Sequence, residues 1–91
     1  MLIIKQQRYT LFEVINMDSN QYDKYKKLGL NIAYYRKEKG YTQELLAEKL
    51  NIDRTTISKI ELAVSGVSLD VIFALSDLLA VPVHKFFEFR D

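Results

Sequence analysis

The chain has 91 residues, which is enough for one small domain, and 48% of them are hydrophobic while 27% are charged. That balance is ordinary for a folded domain and too apolar for intrinsic disorder. Thirteen basic and twelve acidic residues leave a net charge of +1, so the overall charge indicates no particular partner. The lack of cysteine and the single histidine exclude a disulfide framework, a thiolate zinc site and a histidine metal cluster.

Several classes of function have no support in the sequence. The longest uncharged stretches are eight residues long, at 28–35 and 62–69, far short of a membrane span. The first residues lack the charged start and long apolar core of a secretory signal. The three glycines are too far apart for a phosphate-binding loop, and no nucleophile elbow or zinc-binding helix is present. We therefore expect a cytoplasmic protein that is not an enzyme, uses no metal or cofactor and contacts no membrane.

The amino-terminal part of the chain differs in composition from the rest. Leu2–Ile4 and Tyr9–Ile15 are rich in β-branched and aromatic residues, which weakly indicates strands, and turn residues fill 16–20. We treat 1–22 as an N-terminal extension, a candidate β arm, and 23–91 as a single helical domain. An alternative is that Met17 is the natural start and that residues 1–16 are an upstream addition.

Apolar residues recur with a helical period from residue 23 onward. Leu28, Ile32 and Tyr35 predict a first helix over about 23–39, which Gly40 ends. Thr42 can cap a second helix. The inner face of this second helix carries Leu46, Ala47 and Leu50.

Three more helices are predicted after the second. Asn51 tolerates a left-handed backbone and marks the next turn, after which Asp53 can cap a third helix. Ser68 can cap a fourth helix, and Pro82 suits the first turn of a short fifth helix that ends in Phe86 and Phe87. The residues expected to face inward from the third and fourth helices are Ile57, Ile60, Leu69, Ile72, Leu75 and Leu79.

The third helix presents a short polar face on its outer side. Burial of its two isoleucines leaves Arg54, Thr55, Ser58 and Lys59 outside, with Thr56 nearer the side. These side chains are rich in hydrogen-bond donors. Such a face can enter a major groove and hydrogen-bond to base edges.

The run at residues 42–61 reads TQELLAEKLNIDRTTISKIE. It resembles the helix-turn-helix of the phage-repressor/Cro-like (XRE) family, and the flanking helices extend the resemblance over about 26–87. The resemblance implies an all-α fold, a five-helix lambda-repressor-like DNA-binding domain. It also implies a sequence-specific regulator of transcription that binds double-stranded DNA, a dimeric repressor that inserts its third helix into the major groove.

The resemblance implies roles for individual residues. Gln43 would contact a phosphate at the start of the second helix, which Thr42 would cap. Arg54 and Lys59 are the candidates for contacts to guanine or phosphate, whereas Asp53 cannot donate and would cap the helix or accept from a cytosine amine. The full set of predicted DNA-binding residues is Thr42, Gln43, Asp53, Arg54, Thr55, Thr56, Ser58 and Lys59.

Arg36 and Glu61 match family positions that form a partly buried ion pair. This pair would join the first helix to the end of the third helix. We therefore expect Arg36 to have a structural role rather than to contact DNA. Removing one partner should destabilise the fold by more than the pair contributes, because a charge is left without its partner.

The sequence departs from the family pattern in two places. The family has a basic loop after the position of Glu61, whereas residues 62–67 read LAVSGV, and Leu45 replaces a polar residue. Either each monomer binds DNA weakly and depends on dimerisation, or this surface meets a small protein partner. In the second case the protein is an interaction module on the same fold, such as an antitoxin component. Lys24, Lys26 and Lys27 would add positive charge if they lie near the DNA backbone, although such groups are more often simply solvated.

A homodimer is expected, because a small domain without cross-links often gains stability by self-association. Phe73 and Leu78 fall on the predicted outer side of the fourth helix, where the family is usually polar. Phe89 lies beyond the usual end of the family domain. These three residues form the candidate dimer interface.

Overall fold

The computed structural model describes residues 19–89, and within them the chain forms four α-helices flanked by two 3₁₀ segments. The all-α fold class is confirmed, while the predicted strands at Leu2–Ile4 and Tyr9–Ile15 lie outside the described residues. The α-helices are α1 (Tyr22–Glu38), α2 (Gln43–Leu50), α3 (Arg54–Glu61) and α4 (Leu69–Leu79). The 3₁₀ segments are Ser19–Gln21 and Val83–Phe87. None of the helices in this part of the chain is long and apolar enough to cross a membrane.

The predicted fifth helix is a 3₁₀ helix of five residues and not an α-helix. Runs this short commonly close with the tighter 3₁₀ hydrogen bonds. Pro82 does not stand in its first turn, as predicted, but just before it, because its ψ of 141° is extended. The segment is held to α1 by Asn31, whose Nδ2 donates to the carbonyl oxygen of Phe86 over 2.9 Å. The ring of Phe86 is fully buried and meets the ring of Tyr35 edge to face.

Two of the three predicted helix caps are confirmed. The hydroxyl of Thr42 accepts from the backbone N–H of Leu45 over 3.0 Å, and the hydroxyl of Ser68 accepts from that of Val71 over 3.2 Å. Asp53 stands at the cap position of α3, but its side chain makes no capping hydrogen bond, so that prediction was wrong. Its backbone carbonyl accepts from the amides of Thr56 and Ile57, and its carboxylate is exposed.

Each of the four α-helices ends in the same backbone motif. A residue with positive φ follows the helix, and the two amides after the last turn donate back to carbonyls three and five residues earlier. This Schellman arrangement satisfies carbonyls that the helix leaves open. Gly40 and Asn51 were predicted at two of these ends. The other two are Ala63 and Ala80, at φ values of 58° and 54°, where an alanine side chain is strained.

The core lies between the four α-helices and the carboxyl-terminal 3₁₀ helix, each of which contributes buried apolar residues. Most residues of the predicted inner faces are buried, and Tyr35 and Leu50 are half-buried against the core. Leu69 is 63% exposed because it is the first residue of α4 and extends past the core. Leu78 was predicted to face outward, but it packs against the core, as does Phe89. The buried core residues are Leu28, Ile32, Leu46, Ala47, Ile57, Ile60, Ile72, Leu75, Leu79, Val81 and Phe86.

Gly29 marks the point where α1 crosses the carboxyl end of α3. A Cβ atom placed on this glycine would lie 2.6 Å from the carbonyl oxygens of both Ile60 and Glu61. Real side chains essentially never approach a backbone atom this closely, so the two helices meet at a distance that only glycine permits. The crossing fixes where α3 lies relative to α1.

Gly29→Ala should destabilise the domain by about 1–3 kcal/mol, because the added methyl group must push α1 away from α3. Helix propensity alone predicts the opposite sign, a gain of about 1 kcal/mol for alanine within a helix. Urea denaturation followed by circular dichroism measures the change. The reverse exchange, Ala80→Gly, is the control, and it should be neutral or stabilising because the position is exposed and left-handed. A stabilised Gly29→Ala variant would show that the crossing is not tight.

Candidate nucleic-acid interface

A tight turn joins α2 to α3. Asn51 takes a left-handed conformation, with φ 58° and ψ 45°, and the amide of Ile52 donates to the carbonyl of Ala47 over 3.0 Å. Ala47 is buried, where a larger side chain would force α2 and α3 apart. Only three residues separate the two helices, so the start of α3 follows directly from the end of α2.

The outer face of α3 is solvated as its sequence pattern predicts. Ile57 and Ile60 are buried beneath it, which fixes the rotation of the helix about its own axis. Two positions differ from the prediction, because Ser58, expected on this face, is half-buried, whereas Thr56, expected nearer the side, is exposed. Neither Arg54 nor Lys59 forms a hydrogen bond or ion pair with another side chain in residues 19–89. The exposed residues are Asp53, Arg54, Thr55, Thr56 and Lys59.

The carboxylate of Glu61, the last residue of α3, is held by a buried ion pair. Arg36 Nε donates to Glu61 Oε2 over 2.6 Å, and Arg36 Nη2 donates to Glu61 Oε1 over 3.1 Å. Both residues are 8% exposed. Arg36 Nη1 also donates to the carbonyl oxygen of Tyr41 over 2.8 Å, so the guanidinium binds α1, the α1–α2 turn and α3 together. The ion pair implied by the resemblance is thus present in the structure.

Gln43, the first residue of α2, also contacts this ion pair. Its Nε2 donates to Glu61 Oε1 over 2.9 Å. Sequence reasoning assigned Gln43 to a phosphate and missed this contact, which joins residues 18 positions apart. No local signal in the sequence points to it, since it exists only when α2 and α3 are packed. The glycine in the middle of α1 was likewise missed, although an isolated glycine in a helical pattern is a recognised sign of close approach.

The segment that follows α3 is apolar and largely exposed. Leu62 and Val64 are exposed, while Ala63 between them is buried in its left-handed conformation. Leu45, the other departure from the family pattern, is half-buried on α2. This loop therefore offers no side-chain charge to a DNA backbone.

The lysines at the start of α1 lie at another part of the surface. Lys24 borders a groove of about 420 Å³ together with Val67 and Leu69. Lys27 pairs with Asp23 over 3.2 Å. Lys26 is exposed. Lys24 is thus near the end of the apolar loop but beside the start of α4.

Comparison with known proteins places this arrangement in a family. Residues 32–86 match the helix-turn-helix family, and this match spans more than half of the chain. The fold and the solvated third helix define a helix-turn-helix DNA-binding domain. The chain belongs to the phage-repressor/Cro-like (XRE) branch of helix-turn-helix proteins.

Two solved structures are similar to the chain over most of its length. One is the restriction-modification controller protein C.AhdI from Aeromonas hydrophila, at 29% identity and a TM-score of 0.71, covering 75% of this chain and 99% of that one. The other is the hypothetical transcription factor NHTF from Neisseria, at 27% identity and a TM-score of 0.69, covering 81% of this chain and 83% of that one. No curated protein sequence matches significantly. Family and structure together indicate a DNA-binding transcription regulator.

Arg36→Met should destabilise the domain by about 3–5 kcal/mol, because it leaves the buried carboxylate of Glu61 without its main partner. The double variant Arg36→Met with Glu61→Leu should lose less than the sum of the two single changes, since no buried charge remains. Lys37→Met changes an exposed neighbour in the same way and should have an effect within about 0.5 kcal/mol. Urea denaturation of wild type, the single variants Arg36→Met, Glu61→Leu and Lys37→Met, and the double variant gives these values. An Arg36→Met variant as stable as wild type would mean that the ion pair contributes nothing to the fold.

Proposed function

We propose that the protein is a sequence-specific, double-stranded DNA-binding regulator of transcription that acts as a homodimeric repressor in the cytoplasm. The observation that carries the proposal is the outer face of α3, which is exposed and polar above a buried isoleucine pair. A helix of this kind fits the major groove, where side chains can distinguish all four base pairs. Repression then follows from occupancy of the operator.

The residues of this face divide by chemistry. Arg54 and Lys59 supply the two positive charges, and each can bind guanine O6 and N7 or a phosphate. The hydroxyls of Thr55, Thr56 and Ser58 can donate or accept. Asp53, whose carboxylate is not used as a cap, can accept from a cytosine amine.

Phosphate contacts from the start of α2 would set the register of the protein on the duplex. The first amides of any α-helix lack partners within the helix, and they favour an anion at that end. Thr42 and Gln43 lie at this end of α2 and complete the proposed DNA-binding set.

The proposed dimer uses an apolar patch formed by Leu69, Phe73 and Phe87. Leu69 and Phe73 are one turn apart on α4, and Leu69 and Phe87 line the same groove. All three are large, apolar and well exposed, with Phe73 at 49%. Phe73 thus stays in the candidate interface, while Leu78 and Phe89, which pack against the core, contribute at most at its border. A two-fold pair of subunits would present two α3 helices to major grooves about 34 Å apart.

The similar structures support regulation as the role. One is described as the controller protein of a restriction-modification system and the other as a transcription factor. A regulatory role for this chain accords with both.

A second candidate function is that of a protein-interaction module on the same fold, such as an antitoxin component. The exposed apolar side chains of Leu62 and Val64, beside the recognition helix, favour this alternative. Such a surface is unusual next to DNA and suits a small protein partner.

One selection experiment distinguishes the two proposed functions. Purified protein is mixed with random DNA duplexes, and the bound duplexes are sequenced at two salt concentrations. Recovery of a palindrome with half-sites one turn apart supports the dimeric regulator. Salt-sensitive binding without sequence preference, or none, favours the protein-interaction module.

Arg54→Ala and Lys59→Ala should each weaken binding to the selected operator by about 1–3 kcal/mol if the residue contacts a base. A loss that is equal on operator and random DNA would identify the residue as a phosphate contact. Lys85→Ala removes the same charge from the 3₁₀ helix, which packs against α1 and α4, and should change affinity little. Fluorescence anisotropy with both DNAs measures these effects. Unchanged operator affinity in both variants would refute the role of this face.

Phe73→Ser should shift the protein from dimer to monomer, because it removes an exposed aromatic ring from the proposed patch. Light scattering after gel filtration measures the mass, and circular dichroism checks that the monomer is folded. Leu62→Ser is the matched control, since it removes a similarly exposed apolar side chain from the loop after α3. A Phe73→Ser protein with an unchanged mass would place the interface elsewhere.

A further inference from the structure

The side-chain amide of Gln43 is committed within the protein. Its Nε2 donates to Glu61 Oε1 over 2.9 Å, and the same oxygen accepts from Arg36 Nη2. The opposite orientation of the amide would bring its oxygen against a carboxylate oxygen, so the donor must face Glu61. A hydrogen bond to an ionised group is stronger than one between neutral groups. Gln43 is also half-buried, which reduces competition from water.

The contact joins the start of α2 to the end of α3. Gln43 is the first residue of α2, and Glu61 is the last residue of α3. The turn at Asn51 joins the far end of α2 to the start of α3, so these helices already share one connection. A second connection at the opposite ends removes the freedom of α3 to pivot about that turn. The pair therefore fixes the angle between the recognition helix and the start of α2.

We propose that Gln43 is a positioning residue for DNA recognition, which holds α3 at its working angle by clamping the carboxylate of Glu61. This proposal rests on the proposed DNA-binding function and assigns a mechanism to one of its residues. Any phosphate contact made by the remaining amide hydrogen of Gln43 is secondary to this clamp. Loss of the clamp should affect how well α3 fits its specific bases more than how strongly the protein binds DNA in general.

The clamp itself is tested without DNA by Gln43→Glu. The charged groups at this position are Glu61 on α3 and Arg36 on α1, and the guanidinium already binds the carboxylate. An introduced carboxylate loses the hydrogen bond and repels Glu61, so the pKa of one of the two acids rises. Stability relative to wild type is then greatest at low pH and falls as pH rises through that raised pKa.

The expected result is a rise in the unfolding equilibrium constant of about tenfold or more at pH 7.5, and a smaller rise at pH 5. If Gln43 did not contact Glu61, the sign would be opposite, because an acid in the first turn of a helix is stabilising. Expressing each result relative to wild type cancels any pH dependence that the two proteins share. Glu44→Gln, at the next and exposed position, is the control and should not show this dependence on pH. A Gln43→Glu variant as stable as wild type at both pH values overturns the clamp.

The positioning role is tested with Gln43→Met, which keeps the length of the side chain and removes the donor. Affinity for the selected operator should fall about tenfold or more, while affinity for random duplexes stays within about twofold and the salt dependence is unchanged. Equal losses on both DNAs would show that Gln43 is only a phosphate ligand and overturn the proposal. If wild type binds no DNA, the proposed function and the positioning role fail together, and the stability test still decides whether the clamp exists.

Discussion

The buried carboxylate of Glu61 is the interaction on which the rest of the structure depends. An isolated charge in this position would be strongly destabilising, so the fold must bring donors to it from other segments. Arg36 donates to it from α1 and Gln43 donates to it from α2, and together these contacts hold α1 and α2 against the recognition helix. Gly29 permits this geometry, since the backbone of α1 touches the carbonyl oxygen of the same glutamate. The buried charge of Glu61 and the absence of a side chain at Gly29 thus together determine how α1 crosses α3.

The recognition helix depends on this support because it cannot be stable alone. α3 has eight residues, whereas isolated helices need roughly 12–15 to be even marginal in water. Ile57 and Ile60 bury its inner face, which sets the rotation of the helix, and the clamp at Glu61 sets its tilt. The solvated side chains have little part in the fold. The fold does not constrain which residues stand there, so they can differ according to the DNA sequence that is recognised. Changes among them should alter specificity without unfolding the domain.

Sequence reasoning succeeded where the determining chemistry is local. The caps at Thr42 and Ser68 and the left-handed turn at Asn51 depend on a few neighbouring residues, so the residue types alone are enough to predict them. Leu69 and Leu78 were assigned to the wrong sides because a helical period gives a direction but not the limits of the core. The hydrogen bond between Gln43 and Glu61, which are 18 residues apart, arises from packing. So does the positive φ of Ala63 and Ala80. A single sequence does not display packing.

The distribution of charge bears on how the proposed regulator would find its operator. Non-specific affinity for DNA comes from phosphates neutralised by basic side chains. The face of α3 carries Arg54 and Lys59, and the loop after it carries no charge. One domain should therefore hold random DNA weakly and lose little affinity with salt. In a dimer, binding of one subunit raises the effective concentration of the other at its half-site. That gain in affinity arises only on DNA that carries both half-sites. A weakly basic surface therefore favours discrimination between operator and random DNA over high affinity for DNA in general.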